Sequence, residues 1–232
     1  DSKCATDKKL ANFTKYVRRQ HLVRFLVQYE IFKKQLRIKG SIVECGVHHG
    51  GGVMAWAKLS CILEPYNYHR KIIGFDTFKG FPTVTEIDKQ RPEATQAINI
   101  PEAKAGALAE EYEVYDELSA VIEEYDQNRF INDIEKIDLI KGDANQTIPQ
   151  YIENNKHLIV SLLYLDFDIY DPTVTALQHF LPKMPKGAII AFDEVNNEFW
   201  PGETMAMLEK FDLNRYQLEC LEIEPNIAFI QL

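Results

Sequence analysis

The sequence predicts an α/β protein built on a mostly parallel sheet, and three observations carry that expectation. Short apolar runs of strand length recur along the chain, several closing on glycine or an acidic residue. Segments with apolar residues at helical spacing separate them, as crossovers between parallel strands require. The last two runs are joined by a short turn at Pro225-Asn226, which reads as an antiparallel hairpin closing the sheet. A length of 232 residues suits one domain. Residues 1–232 are therefore read as a single unit, with 1–39 a helical extension and 81–132 an insertion.

Residues 10–38 place Leu10, Phe13, Val17, Leu22, Phe25, Leu26, Tyr29, Phe32 and Leu36 at helical spacing, with charges opposite. One long or two short amphipathic helices follow, stopped at Gly40. Ser41 to Gly46 is the first buried strand, and Val53 to Leu63 is a helix entered through Gly50-Gly51-Gly52. Lys71 to Asp76 is the second strand. The alternation then breaks at Phe81. Pro82, Pro92 and Pro101 mark loop, and Ala103 to Tyr125 reads as a helix through Leu108, Tyr112, Tyr115, Leu118 and Ile122. An insertion of this size beside a ligand-binding sheet is expected to act as a lid over the substrate. Strands resume at Ile137 to Asp143, at Leu158 to Asp166 (the most apolar, hence central) and at Lys186 to Asp193. Helices at Thr147 to Glu153, Pro172 to Phe180 and Gly202 to Phe211 follow them in turn. Tyr216 to Leu221 and Ile227 to Leu232 form the terminal hairpin.

Composition narrows the function. Twenty-six basic against 35 acidic residues give a formal charge of −9, the wrong sign for a nucleic-acid backbone binder. No apolar stretch is long enough to span a membrane. The four cysteines (Cys4, Cys45, Cys61, Cys220) contain no CxxC pair, so neither a disulfide framework nor a zinc site is expected. Cys45 and Cys61 read as small buried hydrophobes. The expected compartment is a reducing cytoplasm, and the N-terminal helices are the candidate contact for a homo-oligomer.

Acidic residues mark the ends of successive strands: Glu44, Asp76, Asp143, Asp166 and Asp193. One such residue is a common helix cap. The set lies where open parallel sheets bind ligands, at the carboxyl ends of the strands. The first βα turn, Glu44-Cys45-Gly46-Val47-His48-His49-Gly50-Gly51-Gly52, permits close approach of backbone to ligand. His48 replaces the second glycine of the dinucleotide fingerprint, so a pyrophosphate cradle is not expected. An acidic residue in this loop suits an adenosine ligand with a cationic tail. Asp76, followed by Thr77 and Phe78, is placed to accept ribose hydroxyls, and Gly142-Asp143-Ala144 to reach an adenine amino group. His48, His49, His69, His157 and His179 read as exposed histidines.

Glu44-Cys45-Gly46, the stretch from Gly74 to Pro82, Leu165-Asp166-Phe167-Asp168-Ile169-Tyr170 and the Asp193-Glu194 pair together resemble the macrocin/mycinamicin-type sugar O-methyltransferase family, over about residues 40–209. The resemblance implies a class I methyltransferase, Rossmann-like fold with seven strands. It implies S-adenosylmethionine held by Glu44, Cys45, Gly46, Val47, Gly50, Gly51, Asp76, Thr77, Phe78, Gly142, Asp143, Ala144 and Asp166. It further implies Mg²⁺ on Asp166, Asp193 and Glu194, a small-molecule sugar as acceptor, and Asp168 as base with Asp166 beside it. The chemistry agrees: a sugar hydroxyl is a poor nucleophile until its proton is removed, and three carboxylates make a hard oxygen cage. Glu194 stands where the family commonly has a second aspartate. Other readings remain open from sequence: methylation of a phenol or catechol, or a non-catalytic adenosyl-binding protein. A nicotinamide oxidoreductase is disfavoured by His48 and by the lack of an evident Tyr/Lys pair.

Overall fold

The computed structural model describes residues 3–90, 102–110 and 112–232. Its centre is a seven-stranded sheet: β1 (Ser41–Cys45), β2 (Ile72–Asp76), β3 (Ile137–Lys141), β4 (Val160–Leu165), β5 (Ile189–Phe192), β6 (Leu218–Leu221) and β7 (Glu224–Gln231). The order is β3-β2-β1-β4-β5-β7-β6. The β1–β2, β2–β3, β1–β4 and β4–β5 pairs are parallel, and β7 is antiparallel to both β5 and β6. Strand order reverses between β1 and β4, and a crevice opens beyond their carboxyl ends at such a switch point.

Helices cover both faces, so strands β1, β4 and β5 are apolar on both sides. One face carries Ile42, Ile72, Leu162, Tyr164 and Ile189 against Val27, Ile31 and Phe32 of α2 (Arg19–Gln35) and Val53 and Trp56 of α3 (Gly51–Leu63). The other carries Val43, Cys45, Phe75, Leu163 and Phe192 against α5 (Ala144–Asn154), α6 (Tyr170–Phe180) and α7 (Pro201–Lys210), through Ile148, Leu177, Phe180 and Met207. Two-residue alternation in β1 puts Glu44 on the Ile42 face, beneath α3. It is buried, and a Cβ on Gly52 would lie 2.1 Å from its Oε1. Glycine at position 52 is what lets the helix pass over a buried carboxylate.

Several boundaries differ from expectation, and the hairpin turn falls at Glu222-Ile223, with Pro225 and Asn226 inside β7. The N-terminal pattern resolves into a short α1 (Thr6–Ala11), a single 3₁₀ turn and the long α2. α2 belongs to the core rather than to an extension, because Val27, Ile31 and Phe32 are fully buried. The helix read over 103–125 begins only at Val114, as α4 (Val114–Gln127). Residues 105–108 form a turn instead, with Gly106 and Leu108 at positive φ and Gly106 N donating to Phe81 O. α4 lies against α3: Leu118 enters the core and Tyr125 OH donates to Ala57 O at 2.7 Å. Cys61, expected to be buried, is only half-buried, and its Sγ lies 2.9 Å from the Tyr125 hydroxyl. Pro92 and Pro101 lie outside the described residues. Among the described residues no helix is long and apolar enough to cross a membrane.

Arg70 joins the elements below the sheet. Its buried guanidinium donates to Gln35 Oε1 (2.6 Å), to the carbonyls of Leu36, Ile38 and Gly40, to Ser161 Oγ (2.5 Å) and, through Nε, to Glu64 (2.6 Å). The end of α2 and the starts of β1 and β4 thus share one donor group. Arg70→Met would take the cation from Glu64, leaving it only the donors Ser60 and Asn67, and would remove a donor from the carbonyls of Leu36, Ile38 and Gly40. Urea unfolding should show a loss of about 3–5 kcal/mol, as for other broken buried pairs; a loss below about 1 kcal/mol, the scale of a surface pair, would contradict the role given to Arg70.

Candidate active site

A cleft of about 650 Å³ lies over the carboxyl ends of β1, β2, β3 and β4. Of the residues expected to hold the cofactor, Glu44, Gly46, Val47, Gly51, Asp76, Thr77, Phe78, Gly142, Asp143, Ala144 and Asp166 line it. Cys45 and Gly50 do not, and contribute through backbone. Cys45 O accepts from Asp166 N at 2.8 Å, and Gly50 precedes α3 at φ +82°. A Cβ on Gly50 would strike Leu118 of α4, and one on Gly46 (φ +91°) would lie 1.9 Å from the Asp166 carbonyl oxygen. The loop is glycine-rich because β4 and α4 leave no room for side chains there.

Asp76 organises that loop. Its Oδ2 accepts from Val47 N (2.7 Å) and His48 N (2.8 Å), and its Oδ1 accepts from Phe78 N (2.7 Å). A carboxylate oxygen accepts two hydrogen bonds, so Oδ1 retains capacity for a hydroxyl. Thr77 fixes the next turn by donating to Gly80 O at 2.6 Å. Asp143 caps α5 by accepting from Asn145 N at 3.0 Å. Glu44 Oε2 is buried without a partner, and burial above all raises its pKa to about 8, against the pull of Arg24. An orphaned carboxylate oxygen at the floor of a cleft is a complement for a cationic group such as the ammonium of S-adenosylmethionine.

The acidic end of the site is built by β4 and β5. Asp166 and Asp168 line the cleft; Asp193 and Glu194 do not. Asp166 and Asp193 are brought together around Arg24 of α2, whose Nη2 pairs with Asp166 Oδ2 and lies 3.2 Å from Asp193 Oδ1. Arg24 Nη1 donates to Asp193 Oδ2 at 3.2 Å, and Tyr164 OH donates to Asp193 Oδ1 at 2.5 Å. Burial and the neighbouring Asp193 push Asp166 up, while Arg24 pulls it down. Glu194 turns aside, its Oε2 accepting from Asn197 Nδ2. Asp168 sits at φ +62°, and burial, with Glu194 and Asp193 nearby, raises its pKa to about 7.

Sequence reasoning passed over Glu203, the fully buried carboxylate of α7. Its Oε1 accepts from Phe167 N (2.9 Å) and Asp168 N (3.2 Å), and its Oε2 accepts from Glu194 N (3.2 Å). One side chain therefore ties the β4 tip to the β5 tip. It also missed the α2 residues His21, Arg24 and Gln28 in the cleft wall. The expectation for His48 and His49 holds in exposure, yet both line the cleft and approach Glu110, His49 Nε2 at 3.0 Å.

A seven-stranded sheet of this order with one antiparallel strand and a glycine loop after β1 is the fold of the class I methyltransferases. The sequence profile of the Macrocin-O-methyltransferase (TylF) family matches residues 17–214, and the chain belongs to that family. The crystal structure of CalS11, calicheamicin methyltransferase, superposes with a TM-score of 0.90 at 31% identity, covering 100% of this chain and 87% of that one. An apo structure of CalS11, described as a TDP-rhamnose 3'-O-methyltransferase of calicheamicin biosynthesis, gives 0.82 at 28% identity over 100% and 88% of the two chains. The O-methyltransferase NovP shares the fold, with a TM-score of 0.63 at 17% identity over 90% of this chain and 79% of that one. No curated protein sequence matches this chain. The activity is O-methyl transfer from S-adenosylmethionine.

Asp76→Ala removes the acceptor for three backbone N–H groups at once. Calorimetric titration with S-adenosylhomocysteine should show binding weakened by about 1–3 kcal/mol. Affinity unchanged within error would remove Asp76 from the cofactor site.

Proposed function

We propose that this methyltransferase acts on a hydroxyl of a sugar, carried by a nucleotide or a natural-product scaffold, with Asp168 as the proton acceptor. The observation that carries the reading is Asp168 itself, a half-buried carboxylate of raised pKa at the mouth of the donor cleft. The sugar enters by analogy with CalS11, 31% identical over the whole of this chain.

The donor supplies an electrophilic methyl group when bound. Glu44 offers its free oxygen to the ammonium, Asp76 Oδ1 to a ribose hydroxyl, and the Gly142-Asp143-Ala144 backbone to the adenine. Catalysis by the chain then consists of positioning and proton removal. Glu203 clamps the backbone N–H groups of Phe167 and Asp168, which fixes the left-handed turn that presents Asp168. The acceptor lies under the 81–132 insertion, of which Phe81, Pro82, Leu108 and Glu110 border the cleft. Anchorage of its first part supports a wall more than a free lid: Asp88, buried, accepts from Tyr170 N at 2.8 Å, and Phe81 meets the Trp200 ring at 5.9 Å between centroids.

Mg²⁺ does not fit the three carboxylates as they stand. An octahedral ion requires oxygens about 2.0–2.1 Å from one centre. Glu194 is turned to Asn197, and both Asp193 oxygens accept from Arg24 or Tyr164. Among the described residues the one group of three potential ligands whose donor atoms lie within 4.8 Å of one another is His48, His49 and Glu110. Nothing in the proposed sequence of steps passes through a metal.

A base must be ionised to accept a proton, so turnover should fall as pH drops through about 7, the raised pKa of Asp168. Asp168→Asn should lower kcat by about 10²–10⁴-fold and erase that acidic limb, with S-adenosylhomocysteine binding retained. Mass spectrometry of reactions offered TDP-linked deoxysugars, aglycone-linked sugars and catechol tests the acceptor. Methylated sugar is the expected product, and methylation of catechol alone would overturn the assignment.

A further inference from the structure

We infer that the guanidinium of Arg24 is the built-in cation of the acceptor site, standing where relatives are expected to carry a divalent metal. The inference rests on the methyl-transfer reading above. Two carboxylates from neighbouring strands, Asp166 and Asp193, face each other with side chains only 21% and 9% exposed. Such a pair needs a cation or a proton between its members. Arg24 meets that need in forked geometry, with both terminal nitrogens on Asp193 and one also on Asp166. A planar fork suits carboxylates better than a point charge, and its own charge is permanent.

Two further features keep an ion out. Tyr164, buried beneath, occupies the Asp193 oxygen that faces the sheet. Glu194, the third carboxylate of the triad, is held by Asn197 away from the pair. The Arg24 side chain is itself 46% exposed, but the helix that carries it is fixed. One turn further along α2, Val27 and Gln28 are buried, and Ile31 and Phe32 fix the helix in the core. The substitution of a guanidinium for a metal also gives a use to the longer Glu194, which accepts from Asn197 instead of holding an ion. Arg24 acts as a positioning residue: it neutralises the β4 and β5 tips beside Asp168 and leaves proton removal to that aspartate.

The test is Mn²⁺ binding followed by electron paramagnetic resonance on chelator-stripped protein, with S-adenosylhomocysteine calorimetry and turnover measured alongside. The wild type should leave the free-ion signal undiminished and turn over equally in EDTA and in Mg²⁺. Arg24→Ala opens the carboxylate pair, and should bind Mn²⁺ about tenfold or more tighter than the wild type while turning over about tenfold or more slowly. Arg24→Lys, which keeps the charge without the fork, should fall between the two. Stoichiometric Mn²⁺ binding by the wild type that is lost in Asp193→Asn would overturn the inference, as would a folded Arg24→Ala protein that gains no Mn²⁺ binding. If Arg24→Ala fails to fold, the wild-type titration and Arg24→Lys decide. Absence of S-adenosylhomocysteine binding would instead sink the methyl-transfer reading, a separate outcome.

Discussion

The geometry of the cleft depends on how α2 is held, and a single guanidinium does much of the holding. Arg70 satisfies the carbonyls at the end of α2 and just before β1, together with Ser161 at the start of β4. These groups are partly buried, and each would be costly without a donor. The fastening is remote from the chemistry. Eleven residues of helix, about 16 Å at 1.5 Å each, separate Gln35 from Arg24. Arg70 fixes the far end of a rod whose near end reaches into the acidic tips. A change in the angle of that rod at the bottom would be a displacement of Arg24 at the top.

The acidic tips pose an electrostatic problem, and two different devices answer it. Glu203 answers by hydrogen bonding: three backbone N–H groups converge on its two oxygens, which counters the upward push that burial gives its pKa. Asp166 and Asp193 are answered by charge, from Arg24. Glu44 is answered only in part, by the pull of Arg24, with one oxygen orphaned and its pKa raised. Unpaired polar groups are rare enough in interiors that their position is informative. This one lies at the cleft floor, on the donor side.

Much of this was legible in the sequence. Strand and helix order followed from apolar periodicity, and the tips from acidic residues closing apolar runs. Asp76, Asp143, Asp166 and Asp168 reach the cleft as their positions in the chain predict. What escaped notice shares a cause: partners distant along the chain. Arg24 is 142 residues from Asp166, and in the periodic pattern of residues 10–38 it is one more charge on a polar face. Glu203 looks like an ordinary first-turn acid of α7, until the backbone groups of two other loops are found on it. The late start of α4 has a local cause. Gly106 and Leu108 take left-handed backbone, which ends any helix, while apolar spacing alone carried the expected helix through them. Glu44 was placed at a strand tip, whereas β1 runs on to Cys45 and the carboxylate lies under α3.

Among the described residues, non-glycine residues with positive φ are His48, Phe78, Leu108, Asp168 and Asn196. All but Asn196 face the cleft. Left-handed backbone costs a side-chain-bearing residue of order 1–3 kcal/mol, so the energetic debt of this fold is concentrated at its mouth. A selection for thermal stability alone would drift toward glycine or asparagine at these four places, since relief there is close at hand. Each such step would take away an imidazole, an aromatic ring, an aliphatic wall or the proposed base. Backbone strain and the lining of the cleft are therefore coupled through the same few residues, and a gain in stability by mutation at these positions is expected to cost part of that lining.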